Sequence, residues 1–254
     1  IIARKFNQIT ALGKLLDPLA DKLSLVTLLG LFVSDGQIPL WVLAIILLKE
    51  AAMVIGGGVA GMNAAICCAD RGHEVVLYEK TDKLGGQALL SDVMWFKKEM
   101  KLFHEYLERQ IKKRPAITVV YNTQATREII EENDFDAVIV AVGAEQIVPP
   151  IPGVEKAMMS FDVFGHEDKV GKKVVIIGGG AIGVELAIHL NGLGHESTIV
   201  EMAEHIAAKA QLTERTDYLT WLDKTGVKTM INTTCTEITD KGVRVKNADG
   251  EQFL

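Results

Sequence analysis

Two patterns of apolar and polar positions divide this chain. From Leu23 to Val33 only Ser24 and Thr27 interrupt an apolar run, and from Ile38 to Leu48 nothing does. Between the runs lies Ser34-Asp35-Gly36-Gln37, a turn-forming cluster. The pattern predicts a hydrophobic α-helical hairpin within residues 11–52. Each run has eleven residues, fewer than the roughly 20 that a spanning helix takes. Membrane insertion and burial in a soluble core are both open to such a hairpin. From Met53 onward the pattern changes to short apolar stretches that alternate with glycine turns and helix-length segments.

That second pattern is a repeat. Residues 54–80 recur in outline at 176–202, so that Gly56, Gly58, Gly61 and Glu79 map onto Gly178, Gly180, Gly183 and Glu201. Each copy reads apolar strand, glycine turn, helix, second apolar strand, acidic residue. The first copy predicts a strand over 52–55, a helix over 59–71 and a strand over 75–78; the second starts at Val174. This order is the dinucleotide-binding fingerprint. Gly56 and Gly178 permit the tight turn, Gly58 and Gly180 let the backbone approach a pyrophosphate, and Gly61 and Gly183 let the helix pack on the strand. Free N–H groups at the helix start, together with its dipole, favour a phosphate. Glu79 and Glu201 end their strands where a carboxylate can accept from a ribose diol. A carboxylate at Glu201 also repels a 2′-phosphate, which favours NADH over NADPH. Two such sites imply two nucleotides, with electrons passing between them.

Around the repeat, 118–121 and 136–142 read as further strands and 97–114 as an amphipathic helix whose Lys112-Lys113-Arg114 run is a solvated face. Leu84-Gly85-Gly86-Gln87 follows the first copy and has no counterpart after the second. Net charge is −6, which gives no electrostatic case for nucleic acid. The three cysteines, Cys67, Cys68 and Cys235, form no metal-ligand spacing. Cys67 and Cys68, adjacent on the first predicted helix, are expected to pack in the core. The histidines form no metal spacing either, and neither a nucleophile triad nor a zinc pattern is present.

Residues 53–254 resemble the FAD/NAD(H)-binding C-terminal half of the 2,4-dienoyl-CoA reductase and 2-enoate reductase family, old-yellow-enzyme-like NADH:flavin oxidoreductases. The resemblance implies that the first copy, with Gly85, Gly86 and Gln87, holds FAD. It implies that Gly143, in the segment Gly143-Ala144 before the Pro-rich stretch 148–153, marks the exit from the FAD domain. It places Glu185 near the nicotinamide, although an ordinary helix residue fits that position equally well. It also implies an electron acceptor outside this stretch, a barrel domain carrying FMN and an iron–sulfur cluster. The stretch 88–94 lacks the cysteine pair that flavin disulfide reductases carry there, which disfavours that class.

Residues 1–52 resemble a different family. Ala3-Arg4, Gly13, Asp17 and Asp21 fall in the spacing of the CDP-alcohol phosphatidyltransferases, and the following text is similar to their phosphatidylglycerophosphate synthase branch. Asp17 and Asp21 are i and i+4 and share a helix face, where paired carboxylates can hold Mg2+ or Mn2+. By the resemblance Asp21 is also the catalytic base. The family's preceding Asp-Gly pair is absent from this sequence, and no transferase activity is expected. The two resemblances overlap at Met53–Gly57, which cannot be both the end of a long helix and a strand. Two unrelated reading frames joined at a short shared sequence account for this; a natural fusion is the alternative. The expected fold is α/β: two Rossmann-like dinucleotide-binding domains, both incomplete, behind a hydrophobic α-helical hairpin. The expected domains are 1–52, 53–165 (FAD) and 166–254 (NAD(H)). The expected location is cytoplasmic for 53–254, with membrane association if the hairpin inserts.

Overall fold

The computed structural model describes residues 27, 31, 32, 34–36, 51–133 and 135–254. The hairpin expected within 11–52, together with Asp17 and Asp21, lies outside the described residues, apart from the six isolated positions just named and from Ala51 and Ala52, which are strand and not helix. Among the described residues no helix is long and apolar enough to cross a membrane.

The described residues form two compact units. The first comprises residues up to Gly86 together with Tyr106–Val142. Its sheet contains β1 (Ala51–Ile55), β2 (Glu74–Tyr78), β3 (Ile117–Val120) and β4 (Ala137–Val140), in the order β3-β2-β1-β4 and all parallel. Val54 pairs with Leu77 on one side and Ile139 on the other. Strands paired on both edges and covered by a helix become continuous apolar runs, and Ala52–Ile55 is buried throughout. Helix α1 (Val59–Asp70) covers the sheet with Met62 and Ala65, both fully buried. Leu107 and Ile111 of α2 (Lys98–Lys112) complete this core. A short α3 (Arg127–Glu132) is capped by Thr126, whose hydroxyl accepts from Ile129 N–H. The stretch Met53–Gly57 is therefore strand and glycine turn, and no helix runs through it.

The second unit comprises Gln87–Glu105 and Gly143–Leu254. A one-turn α4 (Ser160–Val163) precedes β5 (Lys173–Ile177), α5 (Ala181–Gly192), β6 (Glu196–Val200), α6 (Leu212–Thr225) and β7 (Lys228–Met230). The three strands form a parallel sheet, β5-β6-β7. Then β8 (Thr234–Thr239), β9 (Gly242–Asn247) and β10 (Gly250–Phe253) form an antiparallel sheet. Helix α5 is buried at seven successive positions, Val184–Leu190, as a helix packed on all sides must be. Tyr218 and Leu222 of α6 cover it, with Trp95, Phe96 and Trp221 beside them. Gly192 is required at this contact, since a Cβ there would lie 2.2 Å from Trp95 Nε1.

Three details differ from the sequence expectation. Residues 143–165 pack with the second unit, because Ile151 and Val154 join the β8–β9 core and Val163 and Phe164 join the α5 core. Arg114 is more than a solvated charge: Nε and Nη2 grip both carboxylate oxygens of Asp70 at 2.7 and 2.9 Å. Cys67 is exposed, whereas Cys68, half-buried, packs against the first core, since α1 turns a single narrow stripe to its sheet.

Candidate cofactor-binding site

In the first unit, Gly56 leaves β1 with φ +102, and its N–H donates to Tyr78 O at 2.8 Å. A Cβ on Gly56 would lie 2.3 Å from Ala141 O, and one on Gly61 would lie 1.8 Å from Gly56 O. The helix therefore starts hard against the turn. Gly58 is the N-cap of α1, with no side-chain cap and no acidic residue in the first turn. Those N–H groups and the positive end of the helix dipole stay available to an anion. The second glycine pair comes to the same place. Gly85 N–H donates to Gly57 O at 2.9 Å, and a Cβ on Gly86 would lie 3.0 Å from Gly58 Cα. Side-chain-free backbone thus meets an uncapped helix start, a surface that a diphosphate can approach closely.

The acidic residue closes the turn. Glu79 is 5% exposed. Its Oε2 accepts from Gly57 N–H at 2.7 Å, and its Oε1 accepts from Thr81 N–H and Thr81 Oγ1, each at 2.8 Å. The second unit repeats this around β5 and α5. Gly178 has φ +106, and Gly180 caps α5, again with neither a side-chain cap nor an acidic first turn. A Cβ on Gly183 would lie 2.1 Å from Gly178 O. Glu201 Oε2 accepts from Gly179 N–H at 2.6 Å and Oε1 from Ala203 N–H at 2.7 Å. A carboxylate has about four acceptor positions; Glu79 has filled three and Glu201 two. Both are fixed in orientation, and both keep capacity for a hydroxyl.

Glu185 sits in the second turn of α5 and is 8% exposed. Its Oε1 accepts from both Lys97 Nζ and the Tyr218 hydroxyl. That hydroxyl also lies 2.8 Å from Glu214 Oε1. Burial first, then the two carboxylates, push the Tyr218 hydroxyl far above the ordinary tyrosine range, so it stays a donor. Sequence reasoning singled out Glu185 but missed Lys97, Tyr218 and Glu214. Lys97 and Tyr218 are far away in sequence, and only the i,i+4 spacing of Glu214 and Tyr218 gave a local signal.

Of the remaining sequence-derived positions, Gln87 donates through Nε2 to Ala144 O at 2.6 Å, and Gly143 has φ +76 with open space around it. Two buried histidines pair with carboxylates: His104 with Asp92, and His189 Nε2 with Glu167 Oε1 at 2.9 Å. Among the described residues no group of His, Cys, Asp or Glu has metal-binding geometry. A cavity of roughly 1100 Å3 in the second unit is lined by residues that include Val175, Leu186, Leu190, Val243 and Leu254. The glycine turn and Glu201 are not part of its wall.

Fold and turns define a protein built from two dinucleotide-binding folds. Comparison with known proteins agrees. The family model described as pyridine nucleotide-disulphide oxidoreductase matches residues 51–254. A bilirubin reductase of Mediterraneibacter gnavus is 39% identical over 209 residues, 81% of this chain and 32% of that protein. An NADH oxidase of Thermoanaerobacter brockii is 37% identical over 210 residues, 80% of this chain and 32% of that protein. The solved structure of a 2-naphthoyl-CoA reductase in complex with 2-naphthoyl-CoA superposes with a TM-score of 0.76 at 30% identity, covering 82% of this chain and 32% of that one. The chain belongs to the pyridine nucleotide-disulphide oxidoreductase family, whose members are FAD- and NAD(H)-dependent. It spans about a third of the length of these relatives. The CDP-alcohol phosphatidyltransferase model matches residues 1–85. Where the two matches overlap, the structure has β1, the glycine turn, α1 and β2 of the dinucleotide fold.

Proposed function

We propose that this chain is an electron-input module: it takes hydride from NADH onto FAD and hands electrons to an acceptor domain of the FMN and iron–sulfur type. The observation that carries this is the pair of cradles, each an uncapped helix start beside side-chain-free backbone and a backbone-anchored glutamate. The residues present fit the two nucleotides. Gly58 and Gly86 leave room where a Cβ would intrude on a diphosphate, and Gly180 has open space at the same point. In this reading Gly56, Gly58, Gly61, Gly85, Gly86 and Glu79 hold FAD, Gln87 and Gly143 being carried over from the family resemblance, while Gly178, Gly180, Gly183 and Glu201 hold NADH and Glu185 lies by the nicotinamide. When bound, the flavin supplies the two-electron acceptor chemistry. The chain's own groups bind and orient. Helix N–H groups take the pyrophosphates, and the two glutamates take the ribose hydroxyls. Glu201 disfavours a 2′-phosphate by charge.

The test is the flavin absorption band of the full chain loaded with FAD and mixed anaerobically with NADH. Bleaching within seconds, slower or weaker with NADPH, is expected. A loaded, folded protein whose band NADH leaves untouched contradicts the reading and favours a nucleotide-binding fragment without redox activity. Passage to an FMN and iron–sulfur partner rests on the relatives being about three times longer than the region shared with this chain.

The family match over residues 1–85 favours a second, smaller reading for the N-terminal stretch. We read it as a phosphatidyltransferase remnant whose Asp17 and Asp21 are the pair that would hold Mg2+ or Mn2+, joined to the flavoprotein as a chimera and without transferase activity. CDP-dependent alcohol transfer by the purified chain contradicts this.

A further inference from the structure

Glu185 is held more firmly than an ordinary helix glutamate. Both described bonds to its carboxylate go to one oxygen, Oε1, from Lys97 Nζ and the Tyr218 hydroxyl. No bond to Oε2 occurs among the described residues. The tyrosine is 5% exposed in the α5–α6 core, and its oxygen also lies 2.8 Å from Glu214 Oε1, one turn earlier on α6, a second acceptor that competes for its one hydrogen. The lysine comes from the segment before α2, which packs in the same unit. Three elements thus converge on one carboxylate oxygen, two residues after the glycine that seats α5 on its strand.

A glutamate with one oxygen doubly engaged and the other free is fixed in rotation, and its free oxygen is presented in a single direction. A nearly buried carboxylate held this way has given up side-chain entropy before any ligand arrives. Such preorganisation matters only if something meets Oε2. We infer that Tyr218 is a positioning residue for nicotinamide recognition: by holding Glu185 Oε1 it leaves Oε2 as a fixed acceptor for the carboxamide N–H of the bound dinucleotide. This rests on the proposed function, which puts the nicotinamide half beside Glu185. Glu214 acts against this, by competing for the same hydrogen.

The test compares two ligands that differ at the relevant end. NADH carries the nicotinamide; ADP-ribose shares the adenosine, pyrophosphate and second ribose but lacks it. Binding of each to the full chain is measured for wild type, Tyr218→Phe and Glu214→Gln. Tyr218→Phe keeps the buried ring and removes only the hydroxyl. It is expected to weaken NADH about tenfold, the scale of one hydrogen bond to a charged group, while ADP-ribose binding is unchanged. Glu214 is exposed, so Glu214→Gln tests the same chain of contacts even if Tyr218→Phe fails to fold. About threefold selective tightening of NADH is expected there, since the competing carboxylate is gone and the amide can donate to the tyrosine oxygen. Equal change of both ligands, no change of NADH binding in either variant, or weaker NADH binding in Glu214→Gln overturns the positioning role. Failure of the wild type to bind ADP-ribose or NADH at all overturns the proposed function itself, and this inference with it.

Discussion

The two dinucleotide folds share a sequence pattern yet live in different surroundings. In the first, β1 is paired on both sides, and Ala141, just past β4, fills the space beside Gly56 and Gly61. In the second, β5 is paired only with β6 among the described residues, and a Cβ on Gly178 would meet nothing within 4 Å. The helices are reversed in this respect. α1 buries only a stripe, Gly61, Met62 and Ala65, whereas α5 is enclosed by α6 and the Trp95–Trp221 cluster. One fold closes its sheet and leaves its helix half open; the other closes its helix and leaves its sheet edge open. A motif therefore sets the shape of a turn, while its neighbours decide what each glycine must avoid.

The sharpest way to break the comparison is an alanine at the same motif position in each copy. Gly56→Ala places a Cβ 2.3 Å from a backbone oxygen as well as at positive φ, and should cost about 4 kcal/mol or more. Gly178→Ala meets only the backbone strain, about 1–3 kcal/mol. Urea unfolding of the two variants measures the gap, and equal costs would show that Ala141 does not constrain the first turn.

Next in size are the two carboxylates. Glu79→Gln and Glu201→Gln each set an amide against backbone N–H donors, a loss of about 1–3 kcal/mol. With three bonds, Glu79 should show the larger drop in stability together with weaker FAD binding. With two, Glu201 should chiefly lose NADH affinity and its preference over NADPH. Calorimetric titration of each nucleotide separates the effects. An unchanged NADH-to-NADPH ratio in Glu201→Gln would count against the ribose role.

A smaller effect is confined to the second fold. His189 is buried against Glu167, while the matching position in the first copy is the exposed Cys67. Burial acts to raise the Glu167 pKa, but the N–H groups of Gly165 and Glu167 and the His189 ring outweigh it and hold the carboxyl below its ordinary value of 4.5. A depressed carboxylate pKa gives stability that is complete above the unfolded value and lost as pH falls through the folded one. The stability gap between wild type and Glu167→Gln should therefore persist at neutral pH and shrink below 4.5. A gap independent of pH would remove the pair as its cause. Smallest of all, Cys67→Ser should change stability by less than about 0.5 kcal/mol and leave flavin reduction by NADH unaltered.

The sequence carried the repeat because its information is local: glycines at fixed spacing, an apolar strand on either side, an acid at the end. The strand and helix positions of both copies could be read within a residue or two. The contacts around the motif were not legible. The resemblance put 85–87 with the first copy, but the residues alone did not show that Gly86 would cross Gly58, and nothing near 97 or 218 pointed to Glu185, since those contacts join residues far apart in sequence. Cys68 packs against the first core as expected, but Cys67 was misjudged, because α1 has few polar residues, so apolarity did not mark its buried face. Residues 143–165 were assigned by their place after the first strand set, whereas their apolar side chains belong to the second core.

The most direct measurement is the nucleotide count. Equilibrium dialysis of the full chain against FAD and NAD+ together should give one of each per chain, with neither displacing the other. One nucleotide per chain, or FAD and NAD+ competing for a single site, would contradict the assignment of two cradles to two cofactors.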